Sequence, residues 1–320
     1  MKYIIGVDIG GTKISVILGT STGKILEKRI IKTRVGSKVQ LSSTEISSVI
    51  SGVLSRRNIK SQKLLGIGIG VPGPVDPKKE KIERSPNLPK WEQIPLRPIL
   101  KRRFNCPVFI ENDANAAALG EKYFGAGRSV SDFVYITVST GIGSGIVTNG
   151  RLVRGIGGAA GEIGHTTVQI AGEKCLCGKR GCLEAYASGT AIAKFARRAL
   201  KAGRKSKMSK LVGNINAVTG ATVSQAANLG DHLAIEIRER TADYLGVGLG
   251  NLMNVLNPKR IILGGGVLEN ANHFWKPMMA AAQREAWPAA FKSCQVLRTK
   301  LGNRVGDYGA LAIVLDRKKE

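Results

Sequence analysis

Residues 3–20, YIIGVDIGGTKISVILGT, open the chain with a β-branched run, a Gly-Gly-Thr-Lys turn and a second β-rich run. The pattern predicts a hairpin, with a further turn at Thr22-Gly23. About 130 residues later, ITVSTGIGSGIV (136–147) repeats the theme: strand, Gly-rich turn with Thr, strand. Such a turn lets backbone N–H groups approach a phosphate closely, because glycine has no Cβ and tolerates positive φ. One Gly-rich hairpin is more often a plain tight turn than a ligand site. Two, heading two halves of the chain, predict duplicated lobes that face one nucleotide.

The rest of the chain fits an α/β reading. Leu41, Ile46, Val49, Ile50, Val53 and Leu54 recur at helical spacing and predict a helix over about 40–57. LLGIGIGVPGPVD (64–76) reads as a buried strand broken by Pro72-Gly73-Pro74, and 81–98 as loop, with prolines at 86, 89, 95 and 98. PVFIEND (107–113) is a strand running into a helix. A helix is expected over 232–257, PKRIILGGGV (258–267) is a further strand entering a Gly-rich turn, and the C-terminus reads as a helix.

Composition excludes several classes. Across 320 residues, 43% are hydrophobic and the 40 glycines show no period of three, which removes disordered and collagen-like chains. No window of about 18 uncharged apolar residues offers a membrane span. The start turns polar too early for a signal peptide, so a cytoplasmic location is expected. The net charge of +26 is the odd feature. Residues 185–230 carry 8 basic side chains and no acid: Lys194, Arg197, Arg198, Lys201, Arg204, Lys205, Lys207 and Lys210. A solvated helix end explains such a run, and a polyanion-binding surface is the sharper alternative. Phe195 is the one ring inside it, so base stacking gets no support.

Two constellations carry chemistry. Glu111-Asn112-Asp113 stands where an apolar strand meets a helix, so Asp113 is either a general base or part of an ordinary helix cap. His165, Cys175, Cys177 and Cys182 form a Cys₃His set of the kind that holds structural zinc. Cys-x-Cys is poor disulfide geometry, which favours the metal. Glu162 and Glu184 flank that set, either to accept hydrogen bonds from sugar hydroxyls or to support the ligands. Cys106 and Cys294 read as buried small hydrophobes.

Eight ordered segments then resemble one family, ROK (repressors, uncharacterised reading frames and sugar kinases). They are VDIGGTK (7–13), GVPGPVD (70–76), SPNLPKW (85–91), ENDANAAALGE (111–121), STGIGSGIV (139–147), GAAGEIGH (158–165), CLCGKRGCLEAYASG (175–189) and NPKRIILGGGV (257–267). The resemblance implies a two-lobed actin-like ATPase (ribonuclease H-like) fold with nucleotide and sugar in the cleft. It implies a small lobe of residues 1–118 plus a C-terminal helix at about 305–320, and a large lobe of 119–304 holding the zinc segment 165–182. It also implies transfer of the ATP γ-phosphoryl group to O6 of a hexose, with Asp113 as base. Asn112, Asp113, Glu162, His165 and Glu184 are implied as sugar ligands, so that His165 serves zinc and sugar together. Gly10, Gly11, Thr12 and Lys13 resemble the first phosphate loop, Thr140 and Gly141 the second, and Gly264 and Gly265 the adenosine contact. Asp8 is implied as the Mg²⁺ partner through water. Ser144 and Lys90 stand where the family commonly has glycine.

A glucokinase is the first expectation. N-acetylmannosamine or another hexose as substrate, or polyphosphate as donor, are the alternatives. A sugar-responsive repressor is expected less, since only seven residues precede Asp8 and such regulators carry a winged-helix domain there. The family commonly forms homodimers and homotetramers. Nucleic-acid or polyphosphate binding is not expected, although the basic surface leaves it open.

Overall fold

The computed structural model describes residues 2–34, 36–76, 78–79, 81–83, 85, 88–269 and 273–318. Pro86 and Asn87 of SPNLPKW lie outside them, as do residues 319–320 of the expected C-terminal helix.

The chain divides into two compact units. The first comprises residues 1–131, 145–160 and 299–320, and the second 132–144 and 161–298. This differs from a division at 118/119. The helix that follows Asn112 runs unbroken through that point, and the segments 145–160 and 299–320 both return to the first unit.

The first unit holds β1 (Tyr3–Ile9), β2 (Lys13–Thr20), β3 (Ile25–Lys32), α1 (Leu41–Arg56) and β4 (Leu64–Val71). A small pair, β5 (Val75–Asp76) and β6 (Lys81–Ile82), comes next, followed by α2 (Leu96–Phe104), β7 (Val108–Asn112) and α3 (Asp113–Phe124). Its main sheet has the order β3-β2-β1-β4-β7. The β1–β2 hairpin predicted from 3–20 is present, and β1, β4 and β7 run parallel. Strands inside such a sheet are covered on both faces, hence the near-continuous apolar runs. One face packs on α1, α2 and the fully buried Trp91. The other takes the C-terminal helix through Leu311 and Val314. The glycines of β4 make room for it: a Cβ on Gly68 would stand 2.1 Å from the Ala310 carbonyl oxygen. Helix α2 falls at the end of the stretch expected to be loop. Its Pro98 sits in the first turn, where a missing N–H costs no intrahelical bond, so the proline does not break it.

After α3 come β8 (Phe133–Val138), β9 (Ile142–Thr148) and β10 (Arg151–Leu152). Beyond residue 161 the second unit is mainly helical, with α4 (Glu184–Ala187), α5 (Gly189–Lys201), α6 (Met208–Val212), α7 (Gly220–Asn228) and α8 (His232–Leu256). It ends with β11 (Arg260–Gly264), α9 (Trp275–Glu285), α10 (Pro288–Ser293) and β12 (Gln295–Arg298). The chain's last helix, α11 (Val305–Arg317), belongs to the first unit. The second sheet has the order β10-β9-β8-β11-β12, with β8, β11 and β12 parallel. Strand for strand this repeats the first sheet, as the sequence echo predicted.

The basic run lies on α5, α6 and the turn joining them. Lys194 and Arg198 each pair with Glu173 at 2.7 Å, and Arg204 pairs with Glu236 at 2.9 Å. Lys207 donates to the Leu229 carbonyl at 2.6 Å. Acids outside the run in sequence thus meet it in space. Among the described residues, no helix is long and apolar enough to cross a membrane.

Candidate active site

In the first unit, β1, β4 and β7 end level with one another. Asp8 lies opposite Gly70, and Gly70 opposite Glu111. Asp8 and the Asn112-Asp113 turn therefore stand two strands apart, about 10 Å at ordinary strand spacing. Burial, reinforced by the nearby Asp307, pushes the Asp8 carboxyl up to about 6, against the pull of Lys28 and Lys13. Asp307 is itself buried and accepts from the Lys28 ammonium at 2.6 Å. The first Gly-rich loop closes through the Gly10 N–H, which donates to the Lys13 carbonyl at 2.9 Å. Thr33 braces it from outside: its N–H donates to Thr12 O at 3.1 Å and its hydroxyl to Gly10 O at 2.6 Å. Thr33, Lys28 and Asp307 were not legible as site residues, since no local pattern links them to the loop they support.

At the β7–α3 junction, the helix-cap reading of the tripeptide holds for Asn112. Asn112 is the helix cap: its Oδ1 accepts from the N–H groups of Ala114 (2.9 Å) and Asn115 (3.1 Å), and its amide donates to Gly73 O at 3.0 Å. Asp113 is the first helical residue, and its Oδ1 accepts the Ala114 N–H at 2.8 Å. Asn112 is therefore the cap, and Asp113 shares the Ala114 N–H with it.

In the second unit, His165, Cys175, Cys177 and Cys182 come together, with all four ligand atoms within 4.8 Å of one another. The Cys177 and Cys182 sulfurs are 3.7 Å apart, and Cys175 Sγ lies 3.8 Å from His165 Nδ1. All three cysteines are free thiols. Tetrahedral zinc with Zn–S bonds of about 2.3 Å needs S···S edges of about 3.8 Å, so the donor set fits that ion. Burial, and then the other two thiols, push Cys182 up to about 12; a bound cation reverses that by favouring thiolates. Glu162, exposed, reaches to 3.9 Å from His165 Nε2.

Glu184 joins this segment to the second Gly-rich loop. Its Oε2 accepts the Ile142 N–H at 2.9 Å, and its Oε1 lies 4.0 Å from Cys175 Sγ. That contact explains Gly141, where a Cβ would stand 2.5 Å from Glu184 Oε2. The loop is also held by α5, whose Gly189 N–H donates to Ser139 O at 2.7 Å and whose Thr190 hydroxyl donates to Thr140 O at 2.8 Å. Of the two glycine properties expected to matter in these loops, absence of a Cβ and tolerance of positive φ, the second is not used. Gly10, Gly11 and Gly141 do not adopt positive φ; at Gly141 what matters is space. Gly265, at the end of β11, does take φ +97°. Cys106 is buried as expected, whereas Cys294 is only partly so.

The ROK family profile matches residues 4–317. The chain belongs to the ROK family. Its paired sheets are those of the family's actin-like ATPase fold. A glucokinase of Thermotoga maritima is 37% identical over 314 residues, covering 98% of both chains. The solved structure of a ROK family glucokinase from Streptomyces griseus, in complex with glucose and AMPPNP, is 34% identical, with a TM-score of 0.81 and 99% of each chain covered. A xylose repressor of Caldicellulosiruptor bescii is 33% identical; the match covers 98% of this chain and 78% of the repressor.

Proposed function

We propose that this ROK protein is an ATP-dependent hexose kinase that transfers the γ-phosphoryl group to O6 of its sugar, glucose being the first substrate to test. The observation that carries the reading is the placement of Asp113 beside the cap rather than as the cap, at the same strand ends as Asp8. Similarity to glucokinases along the whole chain supports it. Asp113 takes the proton of the attacking hydroxyl, a role worth about 10²–10⁴-fold in rate. Asn112, Glu162, His165 and Glu184 hold the other hydroxyls. Both lone pairs of Asn112 Oδ1 are used in capping and one amide hydrogen goes to Gly73, so Asn112 meets the sugar as a donor.

Gly10, Gly11, Thr12 and Lys13 take the phosphates with Thr140 and Gly141, and Gly264 and Gly265 lie along the adenosine. Mg²⁺ supplies charge neutralisation on the phosphates, with Asp8 holding its water. Zinc, on His165, Cys175, Cys177 and Cys182, is structural. The assembly is a homodimer or homotetramer.

A coupled assay across glucose, mannose, fructose and N-acetylmannosamine, with ATP or polyphosphate as donor, tests the reading. Glucose with ATP is expected to give the highest kcat/KM. Asp113→Asn is expected to keep glucose binding and lose about 10²–10⁴-fold in kcat. Glucose binding without phosphorylation by either donor in the parent protein sinks the kinase reading and favours a sugar-responsive regulator, the reading that the repressor similarity favours.

A further inference from the structure

Glu111 is a buried carboxylate, 4% exposed, two residues before Asp113. Its hydrogen bonds make it the hub of the β7–α3 junction. Oε1 accepts the Asn112 backbone N–H and the Asn115 side-chain amide, both at 3.1 Å. Oε2 accepts Arg154 Nε at 2.7 Å. Arg154 follows β10, more than forty residues away in sequence, and is itself largely buried. On its far side, Arg154 Nη2 lies 3.5 Å from Asp316 of α11, and Asp316 takes Lys122 of α3 at 2.6 Å. A charge-assisted chain thus ties β7, the segment after β10, α11 and α3 together, all within the first unit.

Packing confirms that the junction is held from this side. A Cβ on Gly145 of β9 would stand 2.6 Å from the Ala118 Cβ and 2.9 Å from the Ala114 carbonyl, so the strand lies directly on the first turns of α3. Asn112 and Asp113 have little freedom to move relative to this frame.

We propose that Glu111 and Arg154 are a positioning pair that fixes the Asn112–Asp113 turn and thereby the point at which the Asp113 carboxylate meets the sugar hydroxyl. The proposal rests on Asp113 being the base. Neither side chain reacts. Glu111 holds the backbone on which the base is mounted, and Arg154 holds Glu111. Misplacement of a reacting group by about 1 Å can cost about 10²-fold in rate, so a pair of this kind shows in kcat.

The test compares Glu111→Gln, Arg154→Lys and the double variant Glu111→Gln/Arg154→Met with the parent and with Asp113→Asn, using glucose and ATP–Mg²⁺. Glu111→Gln keeps an acceptor for the Asn112 N–H but removes the charge that orients Arg154. Its kcat is expected to fall about 10- to 100-fold while the KM for ATP stays within about twofold. Arg154→Lys, which keeps the charge and loses the planar fork, is expected to retain more kcat than Glu111→Gln. The double variant removes both charges, so it folds even where one unpaired buried charge prevents folding. Its kcat is expected to be no lower than that of Glu111→Gln alone, because the two side chains act as one unit.

Calorimetric titration with glucose counts the competent molecules. A loss explained by a smaller binding fraction is a structural effect and overturns the proposal. So does a folded Glu111→Gln or double variant with kcat within about twofold of the parent, while Asp113→Asn has lost turnover. If Asp113→Asn itself keeps turnover, the base assignment falls first and takes the proposal with it.

Discussion

The two Gly-rich hairpins share a plan and differ in what supports them. In each, three residues join the strands: 10–12 between β1 and β2, and 139–141 between β8 and β9. In each, the first strand lies parallel to a strand with a glycine among its last two residues, so that Asp8 faces Gly70 as Thr137 faces Gly264. The acid stands in only one of them. The first loop is braced by backbone and hydroxyl groups of Thr33. The second is braced by α5 and by Glu184, which reaches it from the Cys₃His segment. The two hairpins thus share a three-residue turn, with a buried acid beside one and a carboxylate from the Cys₃His segment against the other.

The largest expected effect breaks the second hairpin alone. Structural zinc contributes its binding free energy to folding, about 10–16 kcal/mol in small peptides, so its removal is costly. Metal analysis is expected to find one zinc per chain. Chelation or Cys182→Ala should lower the melting temperature and strip hydrogen-exchange protection from 139–142 and 165–184, with the Gly10–Lys13 loop still protected. No zinc, together with unchanged melting of Cys177→Ser, removes the metal from this comparison.

The next tests the acid. A carboxyl raised to about 6 from 3.8 binds its proton more tightly in the folded chain than in the unfolded one. Its destabilising contribution is absent below about pH 4, grows as pH rises and is complete above about pH 6, at about 2–3 kcal/mol. Asp8→Asn is therefore expected to melt higher than the parent at pH 7.5, to match it near pH 4, and to lose turnover. A variant that melts lower at pH 7.5 contradicts the cost assigned to burying the Asp8 carboxylate.

Alanine at the matching glycines sharpens the contrast. Gly141→Ala drives a methyl against the held Glu184 carboxylate at 2.5 Å, whereas at Gly10 the nearest atom is Lys13 O at 3.2 Å. Denaturant titration should show a loss of about 1–3 kcal/mol for Gly141→Ala and a smaller one for Gly10→Ala. Equal losses would mean that Glu184 does not fix the second loop.

The smallest effects concern the two departures from the family's glycines. Lys90 has φ +69°, so Lys90→Gly should stabilise by up to about 1 kcal/mol. Ser144 is buried and its hydroxyl donates to Gly161 O at 2.5 Å, next to Glu162. Ser144→Gly should therefore destabilise by about 1 kcal/mol. One departure is strained, and the other has been given a partner.

Both hairpins, the long helix α8, the C-terminal helix and the Cys₃His set were legible in the sequence, because periodicity and ligand spacing are local properties. Helix α2 was not, since Pro98 reads as a breaker until its place in the first turn is known. For a related reason the boundaries of the compact units were not legible: nothing local marks the return of residues 145–160 to the first unit.

By itself, the sequence determined most element types, the repeat and the family, through patterns spanning a few residues. It also marked the basic run, but not its partners Glu173 and Glu236. Tertiary structure decided what depends on groups distant in sequence meeting in space. It set Asp307 beside Asp8, Thr33 under the first loop, Glu184 against Gly141, and Arg154 on Glu111 behind Asp113. Hydrogen bonds and ion pairs act over about 3 Å, and only the folded chain brings these groups that close.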